Sequence, residues 1–293
     1  MKKSDLLLGI VVMIVWGLNF SVIKLGVSEI DPLLLTAFRF TLVAFPALFF
    51  VKRPNVPWLY LVAYGWVFAI GVWGMATWSI GAGLSAGMAS VLLQMNVAFG
   101  LFLGYFILKE SLPLNKIAGA TVALGGLLLS LTVTDGSVTT KGLFLILLAA
   151  LSWSIASIIV KKSNTKQVFA FGLWAMACAP APLFLIVYLQ SGADVFMALP
   201  QQLNKNVVFS VVFQAYPVTL LGYWIWNKLL VKYPLTTVAP LTLLVPIFGL
   251  IGGVVFYQET VGLVKFTASL CVICGILIGL INFPKLKKAS NLS

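Results

Sequence analysis

Phe99-Gly100-Leu101-Phe102-Leu103-Gly104, followed by Glu110, Lys116 and Gly126, reappears 149 residues later as Phe248-Gly249-Leu250-Ile251-Gly252-Gly253, followed by Glu259, Lys265 and Gly275. Charged and glycine positions match in register, which chance resemblance between two greasy segments does not produce. A second pair stands earlier in the chain. Trp16 and Lys24, eight apart, answer to Trp153 and Lys161 at an offset of 137. The change of offset corresponds to an extra loop in the second half, where the polar stretch Gln190 to Lys205 lies. An internal repeat of this length constrains the architecture before any single residue does.

The repeat lies in a chain that is 61% hydrophobic and 9% charged, far below the charge content of a domain that folds in water. A hydrocarbon layer about 30 Å thick takes about 20 apolar residues per helical crossing. Ten such runs divide the sequence: 6–27, 33–51, 58–80, 84–108, 114–133, 142–160, 168–189, 207–231, 235–257 and 261–283. The runs are apolar all round rather than alternating, so a β-barrel is not expected. The fold class expected is therefore an all-α polytopic membrane protein of ten transmembrane helices. Residues 5–134 and 141–284 form its two five-helix halves. Five is an odd number, so the halves insert with opposite orientation, the plan of many secondary transporters.

Orientation follows from the basic residues. Placing the N-terminus inside puts fourteen of the nineteen Lys and Arg at inner ends, including Lys52, Arg53, Lys109, Lys161, Lys162, Lys228, Lys232, Lys285, Lys287 and Lys288. Only Lys141, Lys205 and Lys265 fall at outer ends, with Lys24 and Arg39 inside spans, so both termini are expected in the cytoplasm. The net charge of +12 is thus explained by membrane orientation, and no nucleic-acid partner is expected. Lys2 and Lys3 before an apolar run also describe a signal peptide. That reading fails because no small-x-small cleavage site follows, Trp16, Asn19 and Lys24 interrupt the run, and a related segment recurs mid-chain.

Chemistry is excluded by what the spans lack. The chain has no His, and no Asp or Glu lies well inside a span, which removes Ser-His, zinc-peptidase and paired-aspartate catalysis. No Walker sequence is present, Cys178, Cys271 and Cys274 form no metal pattern, and no cofactor is expected. Without a buried carboxylate, coupling to protons would run through the substrate's own ionisation or a displaced Lys proton, and simple gradient-driven export fits as well.

Several polar and aromatic residues interrupt the spans and are candidates for a solute site. Arg39 sits about 10 Å inside the second span, too deep to snorkel easily; an always-charged fork suits a carboxylate, the alternative being a structural pair with Glu29 or Asp31. Lys24 is nearer the surface and expected to snorkel. Asn19, Gln94 and Asn96 are mid-span and can hydrogen-bond a solute or a neighbouring helix. Trp16, Trp153, Tyr216, Tyr223 and Trp224 could line a cavity that holds an ammonium group, or pack a core. The expected site lies between the halves, with Trp16 and Trp153 facing each other and Asn19 one turn from Trp16. Pro46, Pro182, Pro217 and Pro240 are expected to break spans two, seven, eight and nine.

Trp16-Gly17-Leu18-Asn19, Arg39 after Phe38, and the glycine-rich fourth and ninth spans ending in Glu110 and Glu259 resemble the drug/metabolite transporter superfamily, EamA branch. Within it, residues 16–26, 39–54 and Ala89-Ser90-Val91-Leu92-Leu93-Gln94 are most similar to the exporters of O-acetylserine and cysteine. The resemblance implies a multi-pass protein of the cytoplasmic membrane, monomer or homodimer, that exports small amino acids or their derivatives by alternating access. An aromatic amino acid or drug exporter is the alternative within transport, and a lipid or lipid-carrier flippase is the alternative outside it. The second half has Ser154 and Ala156 where the first has Gly17 and Asn19, so no role of Asn19 is duplicated.

Overall fold

A computed structural model describes residues 1–109 and 112–280, and among these the chain is helical throughout, with no strand. The helices are α1 (Lys3–Val27), α2 (Pro32–Leu48), α3 (Trp58–Gly81), α4 (Ala86–Leu108), α5 (Leu114–Ser130), α6 (Thr140–Ser163), α7 (Val168–Ser191), α8 (Lys205–Lys232), α9 (Pro240–Tyr257) and α10 (Leu263–Leu280). Two single-turn helices lie between α7 and α8. Seven of the helices are long and apolar enough to cross a membrane, whereas α2, α5 and α10 are shorter apolar helices. The protein is a multi-pass membrane protein. Glu110, the end of the tenth expected span and Lys285, Lys287 and Lys288 lie outside the described residues.

Local chemistry sets the helix ends. Asp31 Oδ1 accepts from the amides of Leu33 and Leu34 at 2.8 and 2.9 Å, Ser85 accepts from Met88, Thr139 from Gly142, and Asn204 from Asn206 and Val207. Each satisfies backbone donors that the first turn leaves open. At the other ends Lys109, Asn164 and Gln258 take left-handed conformations with φ of 56, 50 and 52°, closing the last turn. Lys109 and Gln258 are repeat-mates, 149 residues apart.

The helices are broken where proline leaves a carbonyl without its donor, and also where no proline points to it. α8 widens into a π-helix at Gln214–Leu221 around Pro217, and α9 enters through a 3-10 turn at Ala239–Leu243 containing Pro240. α7 is interrupted at residues 177–179, just before Pro180, whereas α2 continues past Pro46 to Leu48. α3, which has no proline inside it, carries a second π-helix at Val67–Gly74, 147 residues before that of α8. Such wide turns are rare and gather at functional positions.

α5 and α10 pack backbone to backbone. A Cβ on Gly119 would strike the carbonyl of Gly275, and one on Gly126 would meet the carbonyl of Ala268 at 2.6 Å. As one helix advances the other retreats, so the pair crosses antiparallel. Residues 119 and 268, and 126 and 275, are also repeat-mates, so each contact is the image of the other. With lipid outside and no hydrophobic force between helices, such close approach supplies the van der Waals contact that holds them.

Candidate functional site

A cavity of about 450 Å³ lies inside the bundle. Trp16 of α1, Tyr64 and Trp73 of α3, Gln94 and Asn96 of α4, Trp153 of α6, and Thr219, Tyr223 and Trp226 of α8 stand on its wall. The rings brace one another: Trp16 lies 5.1 Å from Tyr223 and 5.6 Å from Trp226, and Trp153 5.8 Å from Trp73. Trp16 is fixed by its Nε1–H, which donates to the Val218 carbonyl at 3.0 Å. The π-turn of α8 thus orients a ring of α1.

Polar groups on the wall are few. Gln94 Nε2 donates to the Thr242 carbonyl at 3.3 Å, and Asn96 Nδ2 to the Leu93 carbonyl at 2.8 Å. Both sit at the 3-10 turn Leu93–Met95 that interrupts α4, and Ser154 of α6 donates to the Asn96 carbonyl at 2.7 Å. Concave, mostly apolar surface with a few placed amides is the composition of small-molecule sites.

Of the nine residues expected at the site, Trp16, Gln94, Asn96, Trp153 and Tyr223 share this wall. The other four are placed elsewhere. Tyr216 and Trp224 are 37% and 45% exposed in a shallow apolar groove on the outside, with Pro46, Phe50 and Leu221. Sequence spacing missed this because the π-turn adds a residue per turn and rotates the face that a straight α-helix would present. The groove and the cavity share Phe169 and Leu220, which stand between them.

Asn19 is fully buried, and neither its Oδ1 nor its Nδ2 has a hydrogen-bond partner. It lies outside the cavity, on the part of α1 between Trp16 and Lys24, where Asn19 and Ile23 are inaccessible and form a closed layer. Arg39 is fully buried behind the wall and pairs with neither Glu29 nor Asp31. Glu29 accepts from Asn204 and Asn206, and Asp31 caps its own helix. The guanidinium instead stacks 4.2 Å over Trp73 and donates to Thr219 and Gln214.

Beyond the closed layer the polar residues gather at one end of the bundle. Lys24 does not snorkel but pairs with Glu259 at 2.9 Å, and Glu259 also accepts from the amides of Ala86 and Gly87. Lys265 is buried and lies 2.7 Å from Asp135. Burial alone would raise the Asp135 carboxyl, but hydrogen bonds from Lys265 and Ser137 hold it at about 2. In the opposite direction the cavity wall runs through Ser157, Val168, Asn227 and Leu230, toward the end that carries Lys161, Lys166 and Lys232. Sequence reading picks out Trp73 and Trp226 as aromatics within spans but misses Thr219; the repeated π-turns, invisible in composition, bring Trp73 and Thr219 onto the wall.

Crossing helices around a cavity with aromatic walls define a multi-pass membrane protein with room for a solute at its centre. The chain belongs to the EamA-like transporter family, whose model matches residues 3–132 and 140–281. It is 35% identical over 289 residues to a probable amino-acid metabolite efflux pump of Salmonella typhimurium, covering 97% of both chains. A protein of Escherichia coli with the same description is 34% identical over 284 residues, covering 95% of each. A crystal structure of another protein, 17% identical, matches with a TM-score of 0.64 over 95% of this chain and 96% of its own; that likeness concerns the fold alone.

Proposed function

We propose that this chain is a secondary transporter that exports small amino acids or their derivatives, of the O-acetylserine and cysteine kind, across the cytoplasmic membrane by alternating access. The observation that carries the reading is the 450 Å³ cavity, walled by rings that attract an ammonium group and by amides that can bond an acyl or carboxyl group. The descriptions of the Salmonella and Escherichia relatives support the same reading. Trp16, Gln94, Asn96, Trp153 and Tyr223 are the proposed contacts, and no catalytic step is proposed.

The finer architecture belongs to the proposal. Ten crossings, two inverted halves (5–134 and 141–284) and cytoplasmic termini are supported by the antiparallel α5–α10 crossing between repeat-mates and by the π-turns 147 residues apart. In this orientation the end with Lys24, Glu259, Asp135 and Lys265 is outside and shut. The cavity faces inward, poised to load from the cytoplasm. Reporter fusions at Lys52 and Lys162 should read cytoplasm, and fusions at Asp135 and Asp194 the opposite side.

The density of rings in the cavity favours a second reading, an exporter of aromatic amino acids or drugs. A flippase would need the Phe169–Leu220 wall to open sideways into the groove. Efflux from proteoliposomes loaded separately with radiolabelled O-acetyl-L-serine, L-cysteine, L-phenylalanine and a fluorescent lipid separates the three. Release of the small amino acids is expected; lipid movement without amino-acid release overturns the proposal.

A further inference from the structure

Arg39 carries a charge that the described protein leaves without a countercharge. It is fully buried, and no carboxylate of the described residues pairs with it. Among the described acidic residues Asp5 is held by Lys232, Glu29 by two asparagines, Asp135 by Lys265 and Glu259 by Lys24, while Asp31 caps α2 and Asp194 stands in the first turn of a short helix between α7 and α8. A guanidinium in a membrane interior is costly unless a partner or a cavity compensates it.

Its geometry shows where compensation is incomplete. Nε and Nη2 form the side of the guanidinium that takes both oxygens of a carboxylate in a bidentate pair. Here both converge on one atom, Thr219 Oγ1, at 3.2 and 2.9 Å. Nη1 reaches Gln214 Oε1 at 3.4 Å. Thr219 spends its own proton on the Gln214 carbonyl at 2.7 Å, so the hydroxyl has none left for an anion. Thr219 and Trp73, the hydroxyl below the fork and the ring under its face, both stand on the cavity wall. The charge therefore lies directly behind the surface a solute touches, in surroundings too dry to screen it.

We infer that Arg39 is the group that selects a carboxylate in the cavity: the solute's carboxylate settles at Thr219 and takes the fork that the hydroxyl now occupies. The ammonium group of the same solute is then left to the rings of Trp16, Tyr223 and Trp226. This fixes which end of an amino acid points into α2 and α8. The inference rests on the transport reading above and adds the group that reads the carboxylate.

Binding to the purified full-length chain tests it, with L-phenylalanine against phenethylamine and L-cysteine against cysteamine, pairs that differ only by the carboxylate. Wild type should prefer the acids by about tenfold or more, the effect of one charge-assisted hydrogen bond. Arg39→Met should bring acid and amine together by weakening the acid alone. Should Arg39→Met fail to insert, Thr219→Val and Arg39→Lys decide. Thr219→Val keeps the fork and should hold or raise the preference, whereas Arg39→Lys keeps the charge without the fork and should lower it. Equal binding of acids and amines to wild type overturns the inference and leaves the transport reading standing, as does an unchanged preference in a well-inserted Arg39→Met or Arg39→Lys. A preference lost in Thr219→Val would assign the role to the hydroxyl and overturn it likewise. Failure of every amino acid to bind or be exported removes the transport reading, and this inference with it.

Discussion

The indole N–H of Trp16 donates to the carbonyl of Val218 at 3.0 Å, joining α1 to the π-turn of α8 across the two halves of the chain. The bond needs the glycine one turn further on. A Cβ on Gly222 would stand 2.5 Å from Trp16 Nε1, so no side chain fits there while the ring keeps its place. Gly222→Ala should push the ring off Val218 and into the cavity. Overpacking of this kind costs about 1 to 3 kcal/mol, so a lowered melting temperature and at least a severalfold loss of efflux are expected. Wild-type efflux from Gly222→Ala would mean that the position of Trp16 is immaterial to transport.

The closed layer between the cavity and the Lys24–Glu259 end holds Asn19 with both amide atoms unpartnered. An unmade bond of this kind costs about 1 to 3 kcal/mol, and an apolar side chain of similar size removes the cost. Asn19→Leu should therefore raise the thermal stability of the state described here. If Asn19 is exposed when the Lys24–Glu259 end opens, the same variant should slow efflux. A destabilised Asn19→Leu protein would show that the amide is satisfied in a way the structure does not contain.

Asp135 and Lys265 give the Lys24–Glu259 end of the bundle a pH dependence. The Asp135 carboxyl is held near 2, below its value of about 3.9 in an unfolded chain. A depressed carboxylate contributes stability that is complete above the unfolded value and is lost as pH falls through the folded one. The stability difference between wild type and Asp135→Asn should be constant from neutral pH down to about 4, and shrink as pH falls toward about 2. A difference that vanishes nearer neutrality would assign the pH dependence to another group.

Tyr216 and Trp224 face the apolar groove, and Trp224 carries Lys228 Nζ 3.3 Å from its ring centre. Neither reaches the cavity. Tyr216→Leu and Trp224→Leu should transport within about twofold of wild type, since substitutions away from a site cost about 0.5 kcal/mol or less. Trp16→Leu and Tyr223→Leu, measured beside them, should not. Equal losses at all four positions would place the solute path through the groove.

The amino-acid sequence by itself determined that water is not the main solvent, that apolar helices cross a bilayer and that the chain repeats itself. Those conclusions rest on composition, run length and register, which are properties of the chain in one dimension. It also brought Trp16, Gln94, Asn96, Trp153 and Tyr223 together as candidates, because polar and aromatic residues in mid-span need a reason. Which of the candidates share a wall was decided by tertiary structure alone. The π-turns at Val67–Gly74 and Gln214–Leu221 shift the face each helix presents, turning Trp73 and Thr219 inward and Tyr216 and Trp224 outward. Pairing of charges was likewise undetermined: Lys24 could have snorkelled and Arg39 could have met Glu29 or Asp31. Those outcomes depend on which helix end lies within hydrogen-bonding reach, a distance between residues more than 170 positions apart that no local pattern encodes.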